Sequence, residues 1–252
     1  IVSVMLANNE TGVIYPVEEI AAICRAKGVF FHTDAVQTPG KLKLDVKAME
    51  VDFLSLSAHK LHAPKGIGVL YVRKGVSFQP YVMGGGQEQG RRGGTENVAN
   101  MVAFGKAAEI AMASLEENLD RIRALRDRME EGIISSIEGV TRNGAKEPRL
   151  ANTSNLSFTN CEAEAILLLL DREGICASSG SACTTGSMAP SHVLTAMGLT
   201  PELAMGAVRL SLSKYSTDEE VDHLLAKMPE IVSKLRGTIP QTPTPKHQEI
   251  EQ

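Results

Sequence analysis

Two short polar sequences follow apolar runs. Val29-Phe30-Phe31 leads into His32-Thr33-Asp34-Ala35-Val36-Gln37, and the run from Asp52 to Ser57 leads into Ala58-His59-Lys60. A lone Asp after a strand most often caps a helix or closes a turn. A lone Lys there most often lies in solvent. At the carboxyl end of a strand in an open α/β sheet, however, a side chain enters the ligand crevice. A lysine desolvated in such a cleft can condense with a carbonyl carbon. A carboxylate nearby can hold a pyridine nitrogen protonated. A carbonyl-bonding Lys with such an Asp is the arrangement that pyridoxal 5′-phosphate requires.

Four cysteines, Cys24, Cys161, Cys176 and Cys183, form no C-x-x-C pair, so zinc-ribbon and thioredoxin chemistry have no support and no metal is expected. Cys24 and Cys176 sit in apolar patterns and read as buried small hydrophobes. Cys161, beside Asn160 at a turn, is left open. Cys183 differs, because Ser, Gly, Ala and Thr surround it without apolar periodicity. That setting suits an exposed, reactive thiol.

The elements that position these groups alternate. The run Ile1 to Leu6 reads as a strand ending at Asn8-Asn9-Glu10-Thr11-Gly12. Pro16-Val17-Glu18-Glu19 opens a helix striped by Ile20, Ile23 and Cys24 and ended by Gly28. Strands are expected at Val29–Phe31, Asp52–Ser57 and Gly66–Val72, with a short helix near Asp45–Met49. This alternation predicts an α/β domain with a largely parallel sheet. A Gly-rich loop, 84–95, lacks the Lys-Ser/Thr of a P-loop, and its glycines permit positive φ. A helical stretch from Asn97 to Ile134 carries Leu119, Ile122, Leu125 and Met129 at helical spacing. Beyond it, strands at Asn155–Phe158, Gly174–Ala177 and Val208–Ser213 and helices at Glu162–Asp171 and Thr217–Leu235 predict a second domain. The divisions expected are 1–108, 109–236 and a disordered Pro-rich tail, 237–252. His62 and His192 read as polar loop residues.

The 252 residues are 43% hydrophobic and 22% charged, with a formal net charge of −4. These values exclude a disordered chain and a nucleic-acid-coating protein. No apolar run approaches the ~20 residues of a membrane span. A cytoplasmic protein with no nucleic-acid or membrane partner is expected. The opening residues read as a buried strand, so the chain is expected to be the C-terminal part of something longer.

His32-Thr33-Asp34-Ala35-Val36-Gln37, Ser57-Ala58-His59-Lys60 and Ser178-Ser179-Gly180-Ser181-Ala182-Cys183-Thr184 together resemble the motifs of the cysteine desulfurases. These are fold-type I pyridoxal-phosphate enzymes of the class V aminotransferase group. Ala7 to Gly12 and the Gly84–Thr95 loop fit as well. The longer loop after Cys183 resembles the NifS/IscS type. The resemblance implies Lys60 as the Schiff-base lysine, Asp34 at the pyridine nitrogen and Gln37 at the phenolic oxygen. It implies Ser57 and His59 at the phosphate, Asn9 at cofactor and substrate, and Arg209 at the substrate carboxylate. Thr95 would reach the phosphate of a neighbouring subunit, which implies a homodimer. Cys183 would take sulfur from L-cysteine as a persulfide, releasing L-alanine. An iron–sulfur scaffold protein would accept the sulfur, with a nitrogenase role open. The fold implied is the C-terminal part of the large domain plus a small α+β domain, without the family's N-terminal part. The competing readings are a selenocysteine lyase or aminotransferase, and a non-catalytic fragment that keeps the docking surface.

Overall fold

The computed structural model describes residues 1–180 and 189–238. The chain runs β1 (Val2–Met5), α1 (Val17–Ala26), β2 (Phe31–Asp34), α2 (Val46–Met49), β3 (Phe53–Ser57), a 3₁₀ turn (Ala58–Leu61) and β4 (Gly68–Val72). It continues through α3 (Gln87–Gly90), α4 (Val98–Ala113), α5 (Leu115–Ser136), β5 (Val140–Arg142), β6 (Thr153–Phe158) and α6 (Ala163–Arg172). It ends with α7 (His192–Ala196), α8 (Pro201–Met205), β7 (Ala207–Ser211) and α9 (Asp218–Thr238). Two compact units result. The first holds 1–127 with the returning segments 144–154 and 211–216, and the second holds 128–143, 155–210 and the chain from 217 onward. The boundary expected at residue 108 lies inside α4.

The first unit is built on a four-stranded sheet in the order β1-β2-β3-β4. β1, β2 and β3 are parallel, and β4 is antiparallel to β3. Period-two alternation puts Phe31 and Thr33 on one face and His32 and Asp34 on the other. Phe31 and Leu54 join Leu6, Val17, Ala21, Cys24 and Met49 in one core cluster. α1 begins after Pro16 with Glu18 and Glu19 in its first turn and Arg25 in its last, which matches the helix dipole. Gly28, at φ +64°, follows its end. The buried stripe of α1 is Val17, Ala21 and Cys24, whereas Ile23 is 57% exposed. The second strand starts two residues later than the apolar run predicts. Phe30 is half exposed and meets Phe53 edge-on at 6.0 Å.

Asp45 caps α2, accepting from Lys47 N at 2.8 Å and Ala48 N at 3.3 Å. Those bonds hold its carboxyl below the ordinary carboxylate range. The helical stretch expected over 97–134 forms as two helices, α4 and α5, bent by 71°. Ser114 separates them, and its hydroxyl donates to Ile110 O at 3.2 Å. Such back-bonding to the carbonyl four residues earlier bends helices. No single helix among the described residues is long and apolar enough to cross a membrane.

The second unit carries the sheet β5-β6-β7, with β5 and β6 antiparallel. β6 is buried along its whole length. α6 buries Ala163, Ile166 and Leu170, and α9 buries Val221, Leu224, Met228 and Val232. Gly132 of α5 lets α9 approach closely, because a Cβ there would lie 2.6 Å from Leu225 Cδ2. The strand expected at Gly174–Ala177 does not form. Only an isolated bridge pairs Ser178 with Arg209. An isolated apolar run makes a strand only where a partner edge is free, and this one meets β7 at a single residue. Cys176 is accordingly exposed, against expectation, while Cys24 and Cys161 are buried. His192 opens α7 behind the Ser191 cap instead of lying in a loop. β5, α7 and α8 are short elements that the sequence pattern did not reveal. Of the expected tail, Gly237 and Thr238 belong to α9, and residues 239–252 lie outside the described residues.

Candidate functional site

Because β1, β2 and β3 run parallel, their carboxyl ends share one edge of the sheet. Asn9 follows β1, Asp34 ends β2, and Ser57 ends β3. The ladder continues into the loops, where Leu6 N donates to Asp34 O at 2.8 Å and Ala35 N to Ser55 O at 3.0 Å. Neighbouring strands lie ~4.8 Å apart, so side chains from adjacent ends can converge on one small molecule.

Each group on this edge is held differently. Asp34 is exposed, and its Oδ1 accepts from Val36 N at 2.9 Å. That bond engages Oδ1 and restrains the carboxylate. Ser57 has extended backbone, φ −133° and ψ 129°, and precedes the 3₁₀ turn. Its Oγ lies 2.7 Å from His59 Nδ1. The turn is anchored by Ala58, which is 0% exposed. Lys60 is half-buried in this turn. Its ammonium makes no ion pair or hydrogen bond with any described residue. The turn closes at His62, which takes left-handed φ +62° and packs edge-on against Tyr215 at 5.3 Å. His62 is therefore an exposed turn residue, as expected. Gln37 lies on the loop after β2, where its carbonyl accepts from Lys41 Nζ at 3.1 Å.

Asn9 is half-buried in a turn organised by its neighbour. Asn8, 4% exposed, accepts through Oδ1 from Glu10 N and Thr11 N, both at 2.9 Å, and from Thr11 Oγ1 at 3.2 Å. The turn is then tied to the returning segment by Leu150 N to Gly12 O at 2.8 Å and Ile14 N to Pro148 O at 3.1 Å. Buried Arg126 of α5 holds that segment in turn, donating to Leu150 O at 3.0 Å and Glu147 Oε1 at 3.1 Å.

Asn9, Asp34, Gln37, Ser57, His59 and Lys60 thus belong to one edge of the first unit. Thr95 is exposed on the loop before α4. In that loop Gly90 and Gly94 have φ +77° and +96°, and so, against type, do Glu88 at +52° and Gln89 at +59°. Arg92 closes it by donating to Gly94 O at 2.9 Å. Arg209 belongs to the second unit, where its backbone exchanges two hydrogen bonds with Ser178. Cys183 lies outside the described residues. Two supporting residues escaped the sequence reading. Asn8 was overshadowed by Asn9. His32 is two positions before Asp34, so strand alternation alone puts it on the same face.

Comparison with known proteins adds the family. Residues 1–224 match the aminotransferase class-V family model. The chain is 54% identical over 240 residues to cysteine desulfurase 2 of Trichormus variabilis, covering 95% of this chain and 60% of that protein. It is 50% identical over 240 residues to cysteine desulfurase NifS of Azotobacter vinelandii, with the same coverage, 95% and 60%. Among solved structures, a NifS-like protein superimposes with a TM-score of 0.84 at 42% identity, over 92% of this chain and 60% of that one. A second, from Rickettsia africae, also reaches 0.84, at 33% identity, over 92% of this chain and 61% of that one. The chain spans about 60% of the length of the curated relatives it matches.

Proposed function

This chain belongs to the aminotransferase class-V family, and on that premise we propose that it carries the catalytic residues of a pyridoxal-phosphate-dependent cysteine desulfurase. One observation carries the reading. Half-buried Lys60 has no polar partner among the described residues and stands at the end of β3, beside a strand that ends in the restrained carboxylate of Asp34. A lysine amine not engaged by the protein is available to bond the carbonyl carbon of a ligand.

The surrounding groups fit pyridoxal 5′-phosphate. When bound, it supplies an aldehyde for the substrate amine and an electron sink for bonds at the α-carbon. Lys60 would hold the aldehyde carbon and afterwards carry protons to and from the substrate. Asp34 Oδ2 would accept from the pyridine nitrogen and keep it protonated. The Ser57–His59 pair would donate to phosphate oxygens, and Gln37 to the phenolic oxygen. Asn9 would orient the substrate, and Arg209 would clamp its carboxylate through a bidentate guanidinium.

Cys183 is proposed as the nucleophile. Its thiolate attacks the sulfur of the bound cysteine, and the carbon–sulfur bond breaks with its electron pair left on carbon. Protonation of that carbon gives L-alanine, and Cys183 keeps the sulfur as a persulfide. Atoms and electrons balance without an external oxidant. An iron–sulfur scaffold protein in the cytoplasm would take the sulfur. Exposed Thr95 would reach the phosphate of a second copy in a homodimer.

The test follows product and label. With L-cysteine and a thiol reductant, alanine and sulfide should form in equal amounts, and borohydride should fix the cofactor on Lys60. Pyruvate as the product, or label on Lys65, would overturn the assignment.

A further inference from the structure

We propose that His32 is a positioning residue that braces the three strands on which the cofactor groups stand. The proposal rests on the pyridoxal-phosphate reading above. Its imidazole is held at both ends: Nδ1 lies 2.7 Å from Ser3 Oγ on β1, and Nε2 lies 2.8 Å from Ser55 Oγ on β3. One side chain thus spans three adjacent strands. A neutral imidazole offers one donor and one acceptor, and a serine hydroxyl can play either part. Both tautomers are therefore satisfied, and the ring is fixed in rotation whichever nitrogen carries the proton.

The register shows what the brace controls. Ser3 pairs with His32, and Asp34 pairs with Ser55. His32 and Asp34 share a face, so the brace lies one pleat below the carboxylate. Just above it, β1 leads to Asn9, β2 ends in Asp34, and β3 ends in Ser57. On the opposite face the same strands contribute Phe31 and Leu54, which are packed and apolar. Phe53, the register partner of His32 on β3, is buried on the His32 face, so the Ser-His-Ser bonds satisfy polar groups beside an apolar neighbour. A polar row on a sheet is useful when every member is paired, because it then fixes one arrangement.

The mechanical consequence is direct. Backbone ladders fix the register of β1, β2 and β3 but allow the strands to shear and twist slightly against one another. A rigid ring hydrogen-bonded to both outer strands resists this. It would keep the phosphate donors on β3, the carboxylate on β2 and Asn9 after β1 at the mutual distances that one rigid ligand demands. Tolerance for such multipoint sites is ~0.5 Å.

The experiment uses the purified full-length protein, stripped of cofactor and titrated with pyridoxal 5′-phosphate by absorbance. His32→Val should weaken cofactor binding about tenfold, equivalent to ~1.4 kcal/mol, and should change the absorption spectrum of what is bound. Ser3→Ala and Ser55→Ala each open one end of the brace and keep the ring, so they serve even if His32→Val folds poorly. Each should weaken binding severalfold, and combining either with His32→Val should add little. A merely structural histidine would lower the melting temperature and leave affinity and spectrum unchanged. Wild-type uptake of cofactor with equal affinity and spectrum in His32→Val and both serine variants would overturn the brace alone. If the wild type takes up no cofactor, the pyridoxal-phosphate reading fails and the brace with it.

Discussion

The two sheets treat polar side chains in opposite ways. In the second unit, β6 buries Asn155 and Ser157 completely, and Asn143 Nδ2 reaches Asn155 Oδ1 at 2.7 Å and Ser157 Oγ at 2.8 Å. Those groups are bonded to one another inside the sheet. In the first unit, among the described residues, the edge formed by β1, β2 and β3 leaves Lys60 without a polar partner and Asp34 bonded through Oδ1. Burial with internal pairing gives a rigid framework, and partial exposure with incomplete pairing gives reactivity. Which role a polar residue takes depends on its neighbours, since both regions draw on ordinary residue types.

The sharpest way to break this contrast is Lys60→Ala. It should abolish borohydride-fixed cofactor entirely while changing folding stability by less than about 0.5 kcal/mol. Loss of folding, or retained label at another lysine, would show that Lys60 is framework and not site.

Thiols offer a second comparison. Cys161 is buried, and burial pushes its thiol up despite the Arg236 guanidinium beside it. It should remain protonated and protected at neutral pH. Exposed Cys176 should alkylate at least about a hundredfold faster than Cys24 or Cys161, because those two need local opening to react. Mass-spectrometric mapping after brief iodoacetamide treatment measures this, and equal rates would contradict the burial pattern.

Asn143→Ala sharpens the framework side. It strips a donor from two buried acceptors and should cost about 2 kcal/mol in urea unfolding. A cost under about 0.5 kcal/mol would mean that the buried polar row is not what holds β5 to β6.

The smallest effect is at Asp45. Hydrogen bonds from Lys47 N and Ala48 N depress its folded-state pKa. Its contribution is therefore present above the unfolded carboxyl pKa and lost as pH falls through the folded one. Asp45→Asn should flatten the acid side of the melting-temperature profile slightly and leave neutral behaviour nearly unchanged. An identical acid slope in both proteins would remove Asp45 from that account.

Much of the site was legible because its groups sit at strand ends. The apolar run before Asp34 and the one before Ser57-Ala58-His59-Lys60 announced both strands and placed these residues at their carboxyl ends. The capping of α2 by Asp45 and the acids at the start of α1 were equally local. Misreadings came where the outcome depended on distant chain. Ile23 fits a helical stripe but faces away from the sheet that α1 covers. Phe30 belongs to an apolar run, yet β2 begins only where β1 supplies a partner, at Phe31 opposite Val2. Cys176 looked like a buried strand residue, but only Ser178 of its neighbourhood pairs with β7. Ser114 ends α4 with non-helical backbone, φ −116°, which a hydropathy pattern does not register.

The sequence by itself supplied the candidate residues: the lysine, the carboxylate, the hydroxyl–imidazole pair and the cysteine in its small-residue setting. It determined the alternation of strands and helices, because periodicity and capping are local properties of the chain. Only the tertiary structure decided that β1, β2 and β3 lie side by side and parallel with β4 reversed, so that Asn9, Asp34 and Ser57 share an edge. It alone decided that residues 144–154 and 211–216 return to the first unit and that His32 meets Ser3 and Ser55. The physical reason is that strand order, register and side-chain pairing are contacts between residues far apart in the chain. No short window of sequence contains both partners.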